Sequence, residues 1–161
     1  MEKHLANSPF ILGQKPSSSD FAIFGQLTQL IGFDPTSRNI AHEISKRTVA
    51  WINSMEDLSG LKIENKEWLD VDSVPSSLKE LFVEVGKVYA PALIANAKAL
   101  ENGDETWETD IDGVVWSQKA FSYQAKCLKW IREEFENLSE EDRAKVLEIL
   151  DGSGCERLLK S

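Results

Sequence analysis

Ser17-Ser18-Ser19-Asp20-Phe21-Ala22-Ile23-Phe24-Gly25-Gln26-Leu27-Thr28-Gln29-Leu30-Ile31-Gly32-Phe33 is the stretch on which the fold turns. Ser17 stands where a helix N-cap belongs. Asp20, three residues on, can accept the cap residue's backbone N–H while its charge faces the positive end of the helix. Pro16 before the cap and Phe21 beyond it suit a hydrophobic staple. No charge follows Asp20 until Asp34, and apolar residues fall on every side, the pattern of a helix surrounded by protein. The spacing predicts a central core helix from about 18 to 33.

Working outward, Ile40, Ile44, Trp51 and Met55 recur at helical spacing while Glu43, Lys46 and Arg47 fall elsewhere, which predicts one amphipathic helix from about 37 to 56. Residues 58–77 show no sustained period and contain Gly60 and Pro75, so they read as a connecting loop with at most a short turn. A third helix starts near Ser76 or Ser77 and lines up Leu78, Leu81, Phe82, Val85, Tyr89, Ala92 and Asn96. Pro91 lies inside it, where it removes the bond to the Lys87 carbonyl and should bend or break the helix. Past Gly103, Trp107-Glu108-Thr109-Asp110-Ile111 alternates, Asp112-Gly113 supplies a type I′ turn and Val114-Val115-Trp116 continues, a small hairpin. Phe121, Gln124, Leu128, Ile131 and Phe135 share a further helical stripe. Ser139-Glu140-Glu141-Asp142 opens a capped helix ending near Gly152, and a short last helix runs from Ser153. The expectation is one all-α domain over residues 1–161, a helical bundle with a small β-hairpin insertion.

Composition limits what such a bundle can do. With 42% hydrophobic residues in 161, there is material for a sizeable core. A net charge of −9 repels phosphate backbones, so nucleic acid is not an expected partner. The longest charge-free stretch, 21–33, falls short of the ~18 residues a spanning helix needs, so no membrane span is expected. The run 9–13 is too short for the core of a secretory signal, which leaves the cytoplasm as the expected compartment. His4, His42, Cys127 and Cys155 are scattered, with no CxxC and no ligand cluster, so no metal is expected.

The Ser17/Asp20 cap with its staple, continued by Phe21-Ala22-Ile23-Phe24-Gly25-Gln26-Leu27, resembles the capping motif of the buried sixth helix of glutathione transferases. Glu84-Val85-Gly86, Ala95-Asn96-Ala97, the Asp112-Gly113 turn and Tyr123-Gln124-Ala125-Lys126-Cys127-Leu128 extend the likeness over most of the chain. The resemblance implies the carboxyl-terminal, all-helical domain of a glutathione transferase-like protein. In that family a thioredoxin-like half holds glutathione and activates its thiol, and nothing ahead of Pro9 matches it. The implied role is therefore hydrophobic-substrate binding and structural support for a thioredoxin-like partner domain. Glutathione would be the co-substrate of that other half, no cofactor would sit in this chain, and no catalytic residue carries over. The alternative is a stand-alone, non-catalytic binding or interaction module. Under either, apolar surface left by missing upstream helices suits a homodimer.

The residues themselves offer two candidate clusters for a hydrophobic ligand. Trp116, Tyr123, Gln124 and Cys127 crowd one helix start, and Tyr89 and Asn96 flank the bend expected at Pro91. Each has a plainer reading: a packed helix with an inert thiol, and an asparagine satisfied by protein groups. Ser17 and Asp20 read as a structural N-capping box, and the five tryptophans as core and interface anchors. Acid pairs such as Asp110 with Asp112 fit turn chemistry better than general acid–base work.

Overall fold

A computed structural model describes residues 1–64 and 67–160, and the chain in it is mainly α-helical with one two-stranded antiparallel hairpin. The contacts gather into two compact units, Met1–Leu78 and Lys79–Ser161.

In the first unit, α1 (Ser18–Leu27) runs on into a π turn over Thr28–Phe33, followed by α2 (Pro35–Ile44) and α3 (Lys46–Met55). The start of α1 is built as its residues dictate. Asp20 is 0% exposed, and its Oδ2 accepts the Ser17 N–H at 2.9 Å and the Ser17 hydroxyl at 2.5 Å. Its Oδ1 accepts the Ile11 N–H at 2.8 Å, so the carboxylate caps the helix and also ties it to the segment before it. That tie takes the place of the expected staple, because Phe21 is 54% exposed.

The expected sheathing of this helix is corrected. Ile23, Phe24, Leu27 and Ile31 pack with Phe10, Trp51, Ile52 and Met55, but Phe21, Leu30 and Phe33 are exposed, Phe33 by 73%. The reason lies in what α2 brings to the segment. None of its residues is buried, and it delivers polar groups to the carbonyls at the end of the π turn. Ser37 Oγ donates to Leu30 O at 2.5 Å, Arg38 Nε to Ile31 O at 2.7 Å, and Arg38 Nη2 to Gly32 O. Helix-end carbonyls are satisfied this way, and the outer apolar face is left uncovered.

The single helix expected over 37–56 is two, broken at Ser45 with φ −145° and ψ 59°. A residue far away in sequence causes the break. The Glu2 carboxylate accepts the Arg47 backbone N–H and pairs with its guanidinium, both at 2.7 Å, supplying α3 with a cap that hydrophobic periodicity cannot reveal. Ahead of α1, the buried His4 donates from Nε2 to Phe10 O at 3.3 Å, which leaves Nδ1 to accept the Ser77 hydroxyl at 3.0 Å. Trp51 Nε1 donates to Pro9 O at 3.0 Å. The expected loop over 58–77 contains a 3-10 turn at Val71–Ser73, and backbone bonds from Gln14 N to Glu67 O and from Leu69 N to Leu12 O hold it to the N-terminal segment. Residues 65 and 66 of that loop lie outside the described residues.

The second unit follows α4 (Ser76–Glu84), whose residues fall on both sides of the division. A π turn over Val85–Tyr89 leads into α5 (Ala90–Asn102), with Pro91 at its start, so the α ladder is interrupted just ahead of Pro91. A π turn holds one more residue than an α turn and rotates everything after it. Gly86 and Ala90 consequently take inner positions and Val85 and Tyr89 are exposed, which corrects the stripe expected from spacing. Beyond lie β1 (Thr106–Ile111), β2 (Val114–Lys119), α6 (Ser122–Glu136), α7 (Glu140–Leu150) and a closing 3-10 turn at Cys155–Leu159. Ser139 caps α7 as its residues predict, accepting the Asp142 N–H at 3.1 Å. Ala90, Leu93, Ala97, Leu128 and Leu158 form the core. At Gly86 the π turn lies against the Ser153–Gly154 backbone so tightly that a Cβ would fall 2.0 Å from Ser153 O. Arg157 Nη2 closes the contact by donating to Gly86 O at 2.6 Å.

Thermal melts followed by circular dichroism check these tethers. Asp20→Ala lowers the melting temperature at a cost of about 2 kcal/mol, because it strips the acceptor from buried donors; an unchanged melt would refute the tether. Gly86→Ala also lowers it. Gly25→Ala, inside α1 with open space where the Cβ would go, raises stability by about 0.5–1 kcal/mol.

Candidate functional site

Strand register builds one wall of a cavity in the second unit. Alternate residues of a strand share a face, and antiparallel pairing places Trp107 opposite Gln118, Thr109 opposite Trp116 and Ile111 opposite Val114. On β1 this face is the covered one, whereas Thr106, Glu108 and Asp110 are exposed. The turn between the strands is the predicted type I′, with Asp112 at φ 53° and Gly113 at φ 80°, and the Asp110 carboxylate accepts the Gly113 N–H at 2.9 Å. Lys87 Nζ meets Asp112 Oδ1 at 2.8 Å, fastening the hairpin tip to the π turn and raising the Lys87 pKa.

The end of the π turn and the first turn of α5 supply the opposite wall, with Val88, Tyr89, Ala92 and Leu93 on one side of the helix. Gln124 of α6 adds a third side, and together with Trp107, Ile111, Trp116 and Gln118 these residues enclose about 210 Å³. Three of the six residues singled out in the sequence, Tyr89, Trp116 and Gln124, thus line a single cavity.

The other three stand apart from the lining. Asn96 is 0% exposed and holds the backbone of Phe121 at both ends: its Oδ1 accepts the Phe121 N–H at 2.7 Å and its Nδ2 donates to Phe121 O at 3.0 Å. It therefore positions the start of α6, which has no side-chain cap of its own. Tyr123 packs edge-on against Trp130 with centroids 6.0 Å apart and lies 6.3 Å from Phe121, in a half-exposed aromatic cluster. Cys127 is half-buried and free. Tyr89 is 43% exposed, and the partial burial of its phenol first, with the neighbouring Cys127 second, pushes it above its ordinary pKa. The other thiol, Cys155, is buried, donates to Phe82 O at 3.1 Å, and has its pKa raised by that burial.

Trp107 is the lining residue that reasoning from sequence passed over by reading the tryptophans as anchors. It is 5% exposed, and its Nε1–H has no acceptor among the described residues. Its alternation in β1 marks it as inward-facing, but an unsatisfied donor shows only in three dimensions. A larger groove of about 650 Å³ runs along α5 and α6 past Lys126, Lys129, Arg132, Glu101, Glu133 and Glu136. Charges of both signs line it, Lys129 pairs with Glu133 at 3.5 Å, and Arg132 donates to Leu158 O. Among the described residues no group of three or more His, Cys, Asp or Glu could hold a metal ion. Compared with protein-family models, curated proteins and solved structures, the chain shows no match.

Two measurements check this geometry. Asn96→Ala costs about 2 kcal/mol in a denaturant melt, since the Phe121 N–H and C=O lose their partner. In a phenolate absorbance titration one of the two tyrosines ionises above the ordinary value, and that late component disappears in Tyr89→Phe. Because the folded-state pKa is raised, the stability Tyr89 contributes is complete below the ordinary pKa of about 10 and is lost as pH rises through the raised one.

Proposed function

We propose that this chain is a non-catalytic helical module that binds a small hydrophobic molecule in the cavity between the hairpin, the π turn and α6. One observation carries the reading: Tyr89, Trp116 and Gln124 converge with apolar Val88, Leu93 and Ile111 around one space of about 210 Å³. Concave, mostly apolar sites with a few polar groups are where small molecules bind. In a glutathione transferase-like parent, the cytoplasmic arrangement the sequence suggests, a thioredoxin-like domain would hold glutathione and this chain would contact the electrophile. No helix among the described residues is long and apolar enough to cross a membrane.

A second reading, an interaction module or homodimer, is supported by the exposed Phe21, Leu30 and Phe33 and by the half-exposed Phe121, Tyr123 and Trp130. Apolar groups of this size are commonly buried by association.

Equilibrium dialysis against naphthalene tests the first reading. The native chain binds it and Ala92→Phe, which fills the cavity, does not; equal uptake by both proteins would overturn the reading. With glutathione and a chlorinated aromatic acceptor the isolated chain gives no conjugation above the uncatalysed rate, and clear turnover would refute the non-catalytic role.

A further inference from the structure

We infer that the outer face of α6 binds a second copy of this chain, the two helices running antiparallel across a two-fold axis at Trp130, with Lys126 of each copy facing Glu134 of the other. The inference rests on the interaction reading above and narrows it to one partner and one surface. Residues three and four apart on a helix are neighbours, so Tyr123, Lys126, Trp130 and Glu134 share one face, while Leu128 and Ile131 on the other side pack into the core. All four are exposed, Trp130 by 50% and Tyr123 by 54%. The two rings, in edge-on contact, form an aromatic patch of the kind that anchors protein interfaces.

The order of charges along the helix decides what covers that patch. Lys126, Lys129 and Arg132 all precede Glu133, Glu134 and Glu136. A lone helix is better served by the reverse order, because its negative end repels acids, and here the last turn holds these three acids and no base. The Lys129–Glu133 pair at 3.5 Å also has its cation first, the weaker of the two orientations at that spacing. An antiparallel helix of the same sequence removes the mismatch, since it lays acids beside the cations and cations beside the acids. Lys126 and Glu134 each stand one i,i+4 step, about 6 Å, from Trp130, so a single two-fold operation brings both pairs together. The same operation sets Leu138, 36% exposed just past the end of α6, opposite the start of α6 in the second copy. A net charge of −9 on each chain opposes indiscriminate association, and the pairing depends on this local match.

Sedimentation equilibrium with the full chain tests the pairing, with circular dichroism to verify that each variant is folded. The native chain dimerises with a Kd on the order of 10 μM. Lys126→Glu and Glu134→Lys each set like charges against one another twice and weaken the dimer about 10-fold or more. An equimolar mixture of the two single variants dimerises as tightly as the native chain, because every acid then meets a base across the interface. The chain carrying both substitutions does the same. A native chain that stays monomeric at about 100 μM overturns this inference and the homodimer reading together. A dimer indifferent to both single substitutions overturns the inference alone and leaves association through another face. Single variants that weaken the dimer yet do not pair with each other overturn the antiparallel match. The cavity is untouched by these substitutions, and naphthalene uptake tests it separately.

Discussion

The Asn96 carboxamide gripping the backbone of Phe121 is the constraint on which the cavity depends. Asn96 sits two turns along α5, wholly inaccessible, and Phe121 is the residue at which the chain leaves the hairpin and enters α6. One side chain therefore fixes the hairpin exit, the start of α6 and, three residues later, the location of Gln124. In a region of low effective dielectric such a two-ended pair is strong, and its loss would leave polar groups buried with nothing to meet.

A comparable constraint opens the first unit. Asp20 collects donors from Ser17 and from Ile11, so the same carboxylate that starts α1 also fastens the strand-like segment before it. Glu2 does the equivalent for α3 through Arg47. Acidic side chains serving helix N-termini recur here because exposed N–H groups at a helix start attract negative charge.

Much of this was legible in the residues. The cap at Ser17, the cap at Ser139, the hairpin with its Asp112-Gly113 turn and the disturbance at Pro91 all follow from local chemistry, and all occur where spacing places them. The misreadings share one origin: they depend on partners distant in sequence. Nothing between 37 and 56 announces that Glu2 will cap a second helix at Arg47. Nothing in the uncharged run to Phe33 announces that α2 will bring it polar groups rather than an apolar cover. At the site, Tyr89, Trp116 and Gln124 were recognisable as a mixture of aromatic and amide groups beside a bend. Asn96 was recognisable only as needing partners, and Trp107 was hidden among five tryptophans until the strand register turned it inward.

The close approach at Gly86 reaches beyond this one molecule. With Ser153 O where a Cβ would need to be, and Arg157 bridging back to the Gly86 carbonyl, the π turn and the final turn of the chain are fitted to each other around a missing side chain. Divergence in a lineage sharing this packing is then not free at position 86: a larger residue there demands a rebuilt 153–154 loop at the same time. The constraint acts on the backbone path at 153–154, so it binds position 86 to the course of that loop whatever side chain Ser153 carries.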